Sequence, residues 1–243
     1  YTSGIFINTS RVDQFGFPLR LDVTGLDGFH QSVGETLSES RDELFAQFIV
    51  DTPESFQVLA KAPYAPYRII APAHASFQKG GESVNYLDPY ISEVWEKYRS
   101  EDLVINIGGW PAFTGRVSGD TFRFRDDNGG NYYINGKPTT AMVLLGSGLL
   151  DDRTGASDIA RQLQIQAQVC AALNRHVAEN SFDRWWDANY HYPENHIANS
   201  YAKFWHDHSI GALAYGFAYD DVGGHSPSIH TPAPINVTYT IGF

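Results

Sequence analysis

Three residues of unlike chemistry, Thr9, Arg11 and Asp13, fall on one parity of the stretch NTSRVDQFGFPLRLDVTG at residues 8–25. If that stretch is a strand, its period of two sends a hydroxyl, a guanidinium and a carboxylate to the same face. Such a face either is simply solvated or serves a cleft. A second acidic pair, Asp220 and Asp221, closes the run AYGFAYDD at residues 214–221. Acidic residues at the polar ends of apolar strands collect in the clefts of sheet proteins, and they also cap turns. Both readings stay open on the residues alone.

Other chemistries find less support. His206, His208, His225 and His230 invite a metal reading, yet His206 and His208 point to different sides of a helix, and zinc ligands on one helix sit at i, i+4. No metal is expected. There is no Gly-x-Ser-x-Gly, and Cys170, the only cysteine, falls on the apolar face of a helical segment, so neither a nucleophile nor an internal disulfide is indicated. INIGGW at residues 105–110 lacks the Lys-Ser/Thr of a phosphate loop.

The elements that must carry these residues are partly legible. SESRDELFAQFIV at residues 38–50 offers Ser40 and Glu43 as a capping box, with Leu44, Phe45, Phe48 and Ile49 at helical spacing. YLDPYISEVWEKYRS at residues 86–100 places Pro89 in a first turn, followed by the stripe Ile91, Val94, Trp95 and Tyr98. The longest helix is expected from Ser157 through residue 178, with Ile159, Leu163, Gln166, Cys170, Leu173 and Val177 on one face, and a shorter one at residues 195–208. Strand-like runs are YRIIA (67–71), LVINI (103–107), residues 112–134 with hairpin turns at 118–120 and 128–130, AMVLLG (141–146), AYGFAYDDV (214–222) and INVTYTIGF (235–243). Strands thus open and close the chain and helices crowd its middle. The expectation is a mainly β protein, a sandwich whose middle carries an α/β insertion, with strands on either side of the insertion pairing in one sheet.

Composition narrows the partners. With 17 basic and 28 acidic residues in 243, net charge −11 and no basic cluster, neither nucleic acid nor an anionic membrane is an expected partner. Aromatic residues make up 14%, including 5 Trp and 14 Tyr, and either stack on sugar rings or fill cores. No run is apolar enough to span a bilayer, and the start YTSGIFINTS shows no signal pattern, which reads as a mature or truncated chain. Asn8 and Asn236 head acceptor sequons that matter only in a eukaryotic secreted protein.

One resemblance gathers these features. Val12-Asp13-Gln14-Phe15-Gly16-Phe17-Pro18, within FINTSRVDQFGFPLRLDV, resembles the strand and turn at the acidic cleft of thaumatin-like proteins. SRDELFAQF (40–48), PYISEVWEKY (89–98), FTGRVSG (113–119), CAALNR (170–175) and NHIANSYAKFWHDHSIGALAYGFAYDDVGG (195–224) resemble, in order, segments of one branch, the glycoside hydrolase family 64 β-1,3-glucanases. The resemblance implies a thaumatin-like β-sandwich or barrel lobe (residues 1–36 and 211–243), a mixed α/β lobe (37–210) and a groove between them for β-1,3-glucan. It implies inverting hydrolysis, with Asp13 as general base, Thr9 and Arg11 as groove contacts and Asp220 at an acidic cleft position; Asp221, next to it, and the aromatic Tyr219 and Trp110 are further candidate substrate contacts. The family's general acid, a Glu in an Ala/Val-Glu-Phe context, falls before Tyr1; Glu35 and Glu39 are the nearest carboxylates in sequence, in a loop and a helix entry. A secreted, monomeric protein without cofactor is implied, continuous with or bound to an N-terminal segment. The alternative is a non-catalytic, lectin-like glucan-binding protein using Trp110, Tyr132 and Tyr219 as platforms; a membrane-active thaumatin-like surface is disfavoured by the acidity.

Overall fold

The structure, a computed structural model, describes residues 4–242. In chain order it forms strands β1 (Ile5–Asn8), β2 (Gln14–Phe15), β3 (Leu19–Gly25) and β4 (His30–Gly34), helices α1 (Arg41–Asp51) and α2 (Glu54–Gln57), and strand β5 (Ile69–Ile70). Helix α3 (Asp88–Ser100) precedes strands β6 (Leu103–Ile105), β7 (Phe113–Ser118), β8 (Thr121–Asp126) and β9 (Asn131–Ile134). Helices α4 (Thr140–Leu145), α5 (Ile159–Arg175) and α6 (Ser200–Asp207) follow, then strands β10 (Ser228–Thr231) and β11 (Pro234–Ile241). The chain divides into two compact units, Tyr1–Ser76 with Ser200–Phe243, and Phe77–Asn199.

In the first unit, strands from the two ends of the chain pair as the sequence suggested. β1 runs antiparallel to β10, β3 lies between β11 and β4, and β2 pairs with β5. Alternation along β3 sends Leu21 and Val23 inward to meet Val33 and Ile229, with Ile5, Ile7 and Phe29 at the margin. Helix α1 starts at the capping box, where the Ser40 hydroxyl accepts from Glu43 N–H and the Glu43 carboxylate from Ser40 N–H. Phe48 of α1 packs edge-on against Tyr201 and Phe204 of α6, and Trp205 of α6 stacks on Phe15 at 4.5 Å. These contacts put α1 and α6 with the opening and closing strands, so the unit boundaries fall at 76/77 and 199/200 where the sequence suggested 36/37 and 210/211.

The second unit is an antiparallel sheet in the order β6-β7-β8-β9. Trp95 and Tyr98 of α3 each lie with ring centroids 5.5 Å from Phe122 on the inner face of β8. Along the edge strand β9, Tyr133 N–H donates to Gln162 Oε1 at 2.8 Å and Tyr133 C=O accepts from Gln166 Nε2 at 2.9 Å, so α5 takes the place of a further strand.

The mixed sheet-and-helix architecture is therefore as expected, but three elements differ. AMVLLG forms helix α4, capped by Thr139 and ended by Gly146 in the left-handed region; a short apolar run fits either period, and here the cap residues decide. AYGFAYDDV forms consecutive turns because the Asp220 carboxylate accepts Gly216 N–H at 2.8 Å and Asp220 N–H donates to Phe217 C=O. Helix α5 is buried nearly all round from Ile165 to Arg175, while Ile159 is exposed, so its expected single stripe is not what packs.

Gly34 closes β4 at φ 103°, where a Cβ would sit 2.0 Å from the Leu19 carbonyl oxygen. Gly34→Ala is expected to lower the unfolding free energy by about 3 kcal/mol in urea titrations. A loss under about 1 kcal/mol would contradict this placement of the backbone.

Candidate active site

Strand β1 ends at Asn8, and residues 9–13 follow an irregular path before β2, so the period of two does not run from Thr9 to Asp13. Thr9 and Arg11 are buried at 6% and 4% exposure, whereas the Asp13 side chain is 82% exposed. Thr9 and Arg11 are thus not presented with Asp13 to a common ligand. Arg11 is instead an anchor. Its Nε donates to Glu35 Oε1 at 2.9 Å, its Nη2 to Glu35 Oε2, and its Nη1 to Ser10 C=O. Its backbone N–H donates to Tyr215 C=O at 2.8 Å and its C=O accepts the Tyr201 hydroxyl at 2.7 Å. The guanidinium also lies over Phe15 and Trp205, 5.3 and 6.0 Å from the ring centroids.

Two residues past this anchor, Asp13 Oδ1 accepts from His74 Nε2 at 3.0 Å, in a pair open to solvent. His74 ends the single 3-10 turn Pro72–His74, which follows β5 directly. Nothing in the sequence singled out His74, since 61 positions separate it from Asp13 and no motif joins them.

The remaining carboxylates divide by environment. Glu35, 1% exposed, receives Arg11 and also Leu19 N–H at 2.7 Å, so it is a fully engaged structural carboxylate. Glu39 accepts His208 Nδ1 at 2.5 Å and the Thr36 hydroxyl at 2.8 Å. Asp220, expected as a ligand contact, has no exposed surface here and holds His206 Nε2 at 3.0 Å. Asp221 is exposed. Burial raises the Tyr215 phenol above its ordinary range, and the Asp221 charge and its hydrogen bond to that phenol push the same way. Burial likewise keeps the Tyr201 hydroxyl neutral, against the opposing charge of Arg11.

His206 Nδ1 faces Ala212 C=O at 2.6 Å while Nε2 faces Asp220, so both ring nitrogens are engaged inside the protein. Among the described residues no group of three or more His, Cys, Asp or Glu is arranged to hold a metal ion. Cys170 is buried with Sγ 3.2 Å from Val143 C=O. Tyr219 is half-buried in the first unit, and Trp110 half-buried in the second, where Arg161 lies over its ring. Tyr132 is 1% exposed and its hydroxyl donates to Asp126 Oδ2 at 2.7 Å, so it is a core residue of β9 and no platform. A cavity of about 310 Å³ in the first unit, lined by Gly4, Ile5 and residues 234–237, carries no titratable side chain.

A family model described as "Beta-1,3-glucanase", of glycoside hydrolase family 64, matches residues 1–241. A "Glucan endo-1,3-beta-glucosidase" of Cellulosimicrobium cellulans is 32% identical over 240 residues, covering 95% of this chain; the chain spans 42% of that relative's length. A crystal structure of a beta-1,3-glucanase domain (GH64) from Clostridium beijerinckii matches all of this chain and 62% of its own at 34% identity and a TM-score of 0.88. A laminaripentaose-producing beta-1,3-glucanase from Paenibacillus barengoltzii, solved in complex with laminarihexaose, matches all of this chain and 44% of its own at 33% identity and a TM-score of 0.70.

The anchor yields its own test. Glu35→Ala is expected to cost about 3–5 kcal/mol of unfolding free energy, because it leaves the Arg11 charge buried without a counter-ion. Arg11→Ala costs a similar amount, and the double variant less than the sum. Strictly additive losses in denaturant titrations would show that the two side chains do not act on each other.

Proposed function

The chain belongs to glycoside hydrolase family 64, the β-1,3-glucanases, and on that premise we propose that it hydrolyses β-1,3-glucan with inversion, Asp13 serving as general base. The observation that carries this reading is the contrast among carboxylates of the first unit: Asp13 is 82% exposed beside a histidine, while Glu35 is sealed in an ion pair with Arg11 and Asp220 in hydrogen bonds to His206 and the Gly216 amide. A base must reach a water in contact with the sugar, and of these three only Asp13 can. The base activates water on the face of the ring opposite the leaving oxygen, which a separate carboxylic acid protonates. Neither Glu35 nor Glu39 suits the acid, since Arg11 holds both oxygens of Glu35 and His208 and Thr36 hold one each of Glu39. The reading assigns the acid to the Glu that the family resemblance places upstream of Tyr1.

The relative solved with laminarihexaose supports a linear β-1,3-linked gluco-oligosaccharide as the ligand. Asp221 and Tyr219 of the first unit, exposed and half-buried, are the proposed contacts there, offering hydrogen bonds and stacking surface. Thr9 and Arg11 support the segment from behind. Polymeric glucan lies outside cells, so a secreted protein fits this substrate; no helix among the described residues is long and apolar enough to cross a membrane.

In the complete gene product, Asp13→Asn is expected to lower reducing-sugar release from laminarin by about 100-fold or more, with oligosaccharide affinity held within a few-fold. Retention of a tenth of the wild-type turnover would remove Asp13 as the base. Binding by the wild type without any sugar release would favour a lectin-like protein instead.

A further inference from the structure

We propose that His74 is the positioning residue of the base, its Nε2–H holding one oxygen of Asp13 so that the other is aimed at the reacting water. The proposal rests on Asp13 being the base. Its ground is a frame that is rigid where the two side chains are not buried. Asp13 C=O accepts Ala71 N–H at 3.0 Å, extending by one rung the ladder in which Gln14 faces Ile70 and Phe15 faces Ile69. Phe15 and Ile69 have no exposed surface, and Ala71 and Ala73 are buried at 1% and 4% exposure. His74 N–H donates back to Ala71 C=O at 3.0 Å, which turns the chain so that the imidazole meets the carboxylate.

The pair itself is open, with side chains 82% and 36% exposed, and a polar contact this exposed contributes little to stability. The fold therefore has little use for it. A base does. A carboxylate free to rotate about its last torsion spends most of its time misaimed, and a misplacement of about 1 Å can cost on the order of 100-fold in rate. One fixed donor on Oδ1 removes that freedom and leaves the Oδ2 lone pairs to take the proton of water.

The test compares His74→Ala, His74→Phe and His74→Gln in the complete gene product, alone and combined with Asp13→Asn, on a laminari-oligosaccharide with products counted by mass spectrometry after long incubation. Ala and Phe are expected to lower kcat by about 10- to 100-fold with KM within about twofold and an unchanged melting temperature. Gln, whose amide N–H reaches the same place, is expected to restore kcat to within a few-fold. In the Asp13→Asn background the Ala substitution is expected to cost nothing further. Wild-type kcat in the Ala and Phe variants, a loss that Gln does not restore, or a loss that persists at full size beside Asp13→Asn overturns the role of His74. If Asp13→Asn alone retains turnover, the assignment of the base falls, and this inference with it. Should the Ala variant fold poorly, the Phe and Gln variants, which keep the side chain's bulk, carry the same comparison.

Discussion

The buried Arg11–Glu35 pair is the constraint around which the first unit is built. Both charges lie at less than 5% exposure, where an isolated guanidinium or carboxylate would cost several kcal/mol, so neither is tolerable without the other. Satisfying the pair dictates the chain path. Glu35 stands one residue beyond β4 and also receives Leu19 N–H from the start of β3; Arg11 is tied through its backbone to Tyr215 and Tyr201. The segment between β1 and β2 is thereby pinned on its inner side, and Asp13, two residues on, is left facing outward. The exposed carboxylate is a consequence of the buried one.

The same division of labour explains why several attractive candidates proved structural. Of the 5 tryptophans, Trp95, Trp185 and Trp205 are at 0–1% exposure and fill cores, so most of the aromatic surplus that suggested sugar platforms is packing material. Tyr132 and Asp126 form a closed cluster in which Arg161 and the Asn128 and Gly130 amides also hold the carboxylate, keeping Asp126 below its ordinary range, with the Tyr132 hydroxyl bond the largest influence. His206 and Asp220 make a comparable cluster with the Ala212 carbonyl and the Gly216 amide. In both clusters the buried carboxylate is satisfied by partners close at hand.

What was legible in the sequence was local. The Ser40–Glu43 capping box, Pro89 in the first turn of α3 and the glycine-bearing hairpins each act within four residues, and each appears where expected. The pattern around Asp13 was legible through family resemblance, and the pairing of β3 with β11 across the insertion through the placement of strands at both ends. What failed was long-range. The parity argument that joined Thr9, Arg11 and Asp13 assumed a continuous strand, and the partner that breaks it, Glu35, lies 24 residues away. The partner of Asp13 lies 61 away. AYGFAYDDV has the composition of a strand, but an Asp220 carboxylate bonded to the backbone amide of Gly216 folds it into turns.

The central claim is that Asp13 activates a water on the face of the sugar opposite the leaving oxygen. The stereochemistry of the product reads this directly. In proton NMR spectra recorded during the first turnovers of a laminari-oligosaccharide by the complete gene product, the newly formed reducing end is predicted to emerge as the α anomer and only later to mutarotate. Initial release of the β anomer would mean a double displacement, with a carboxylate bonded to the sugar in place of a water, and would contradict the role assigned to Asp13.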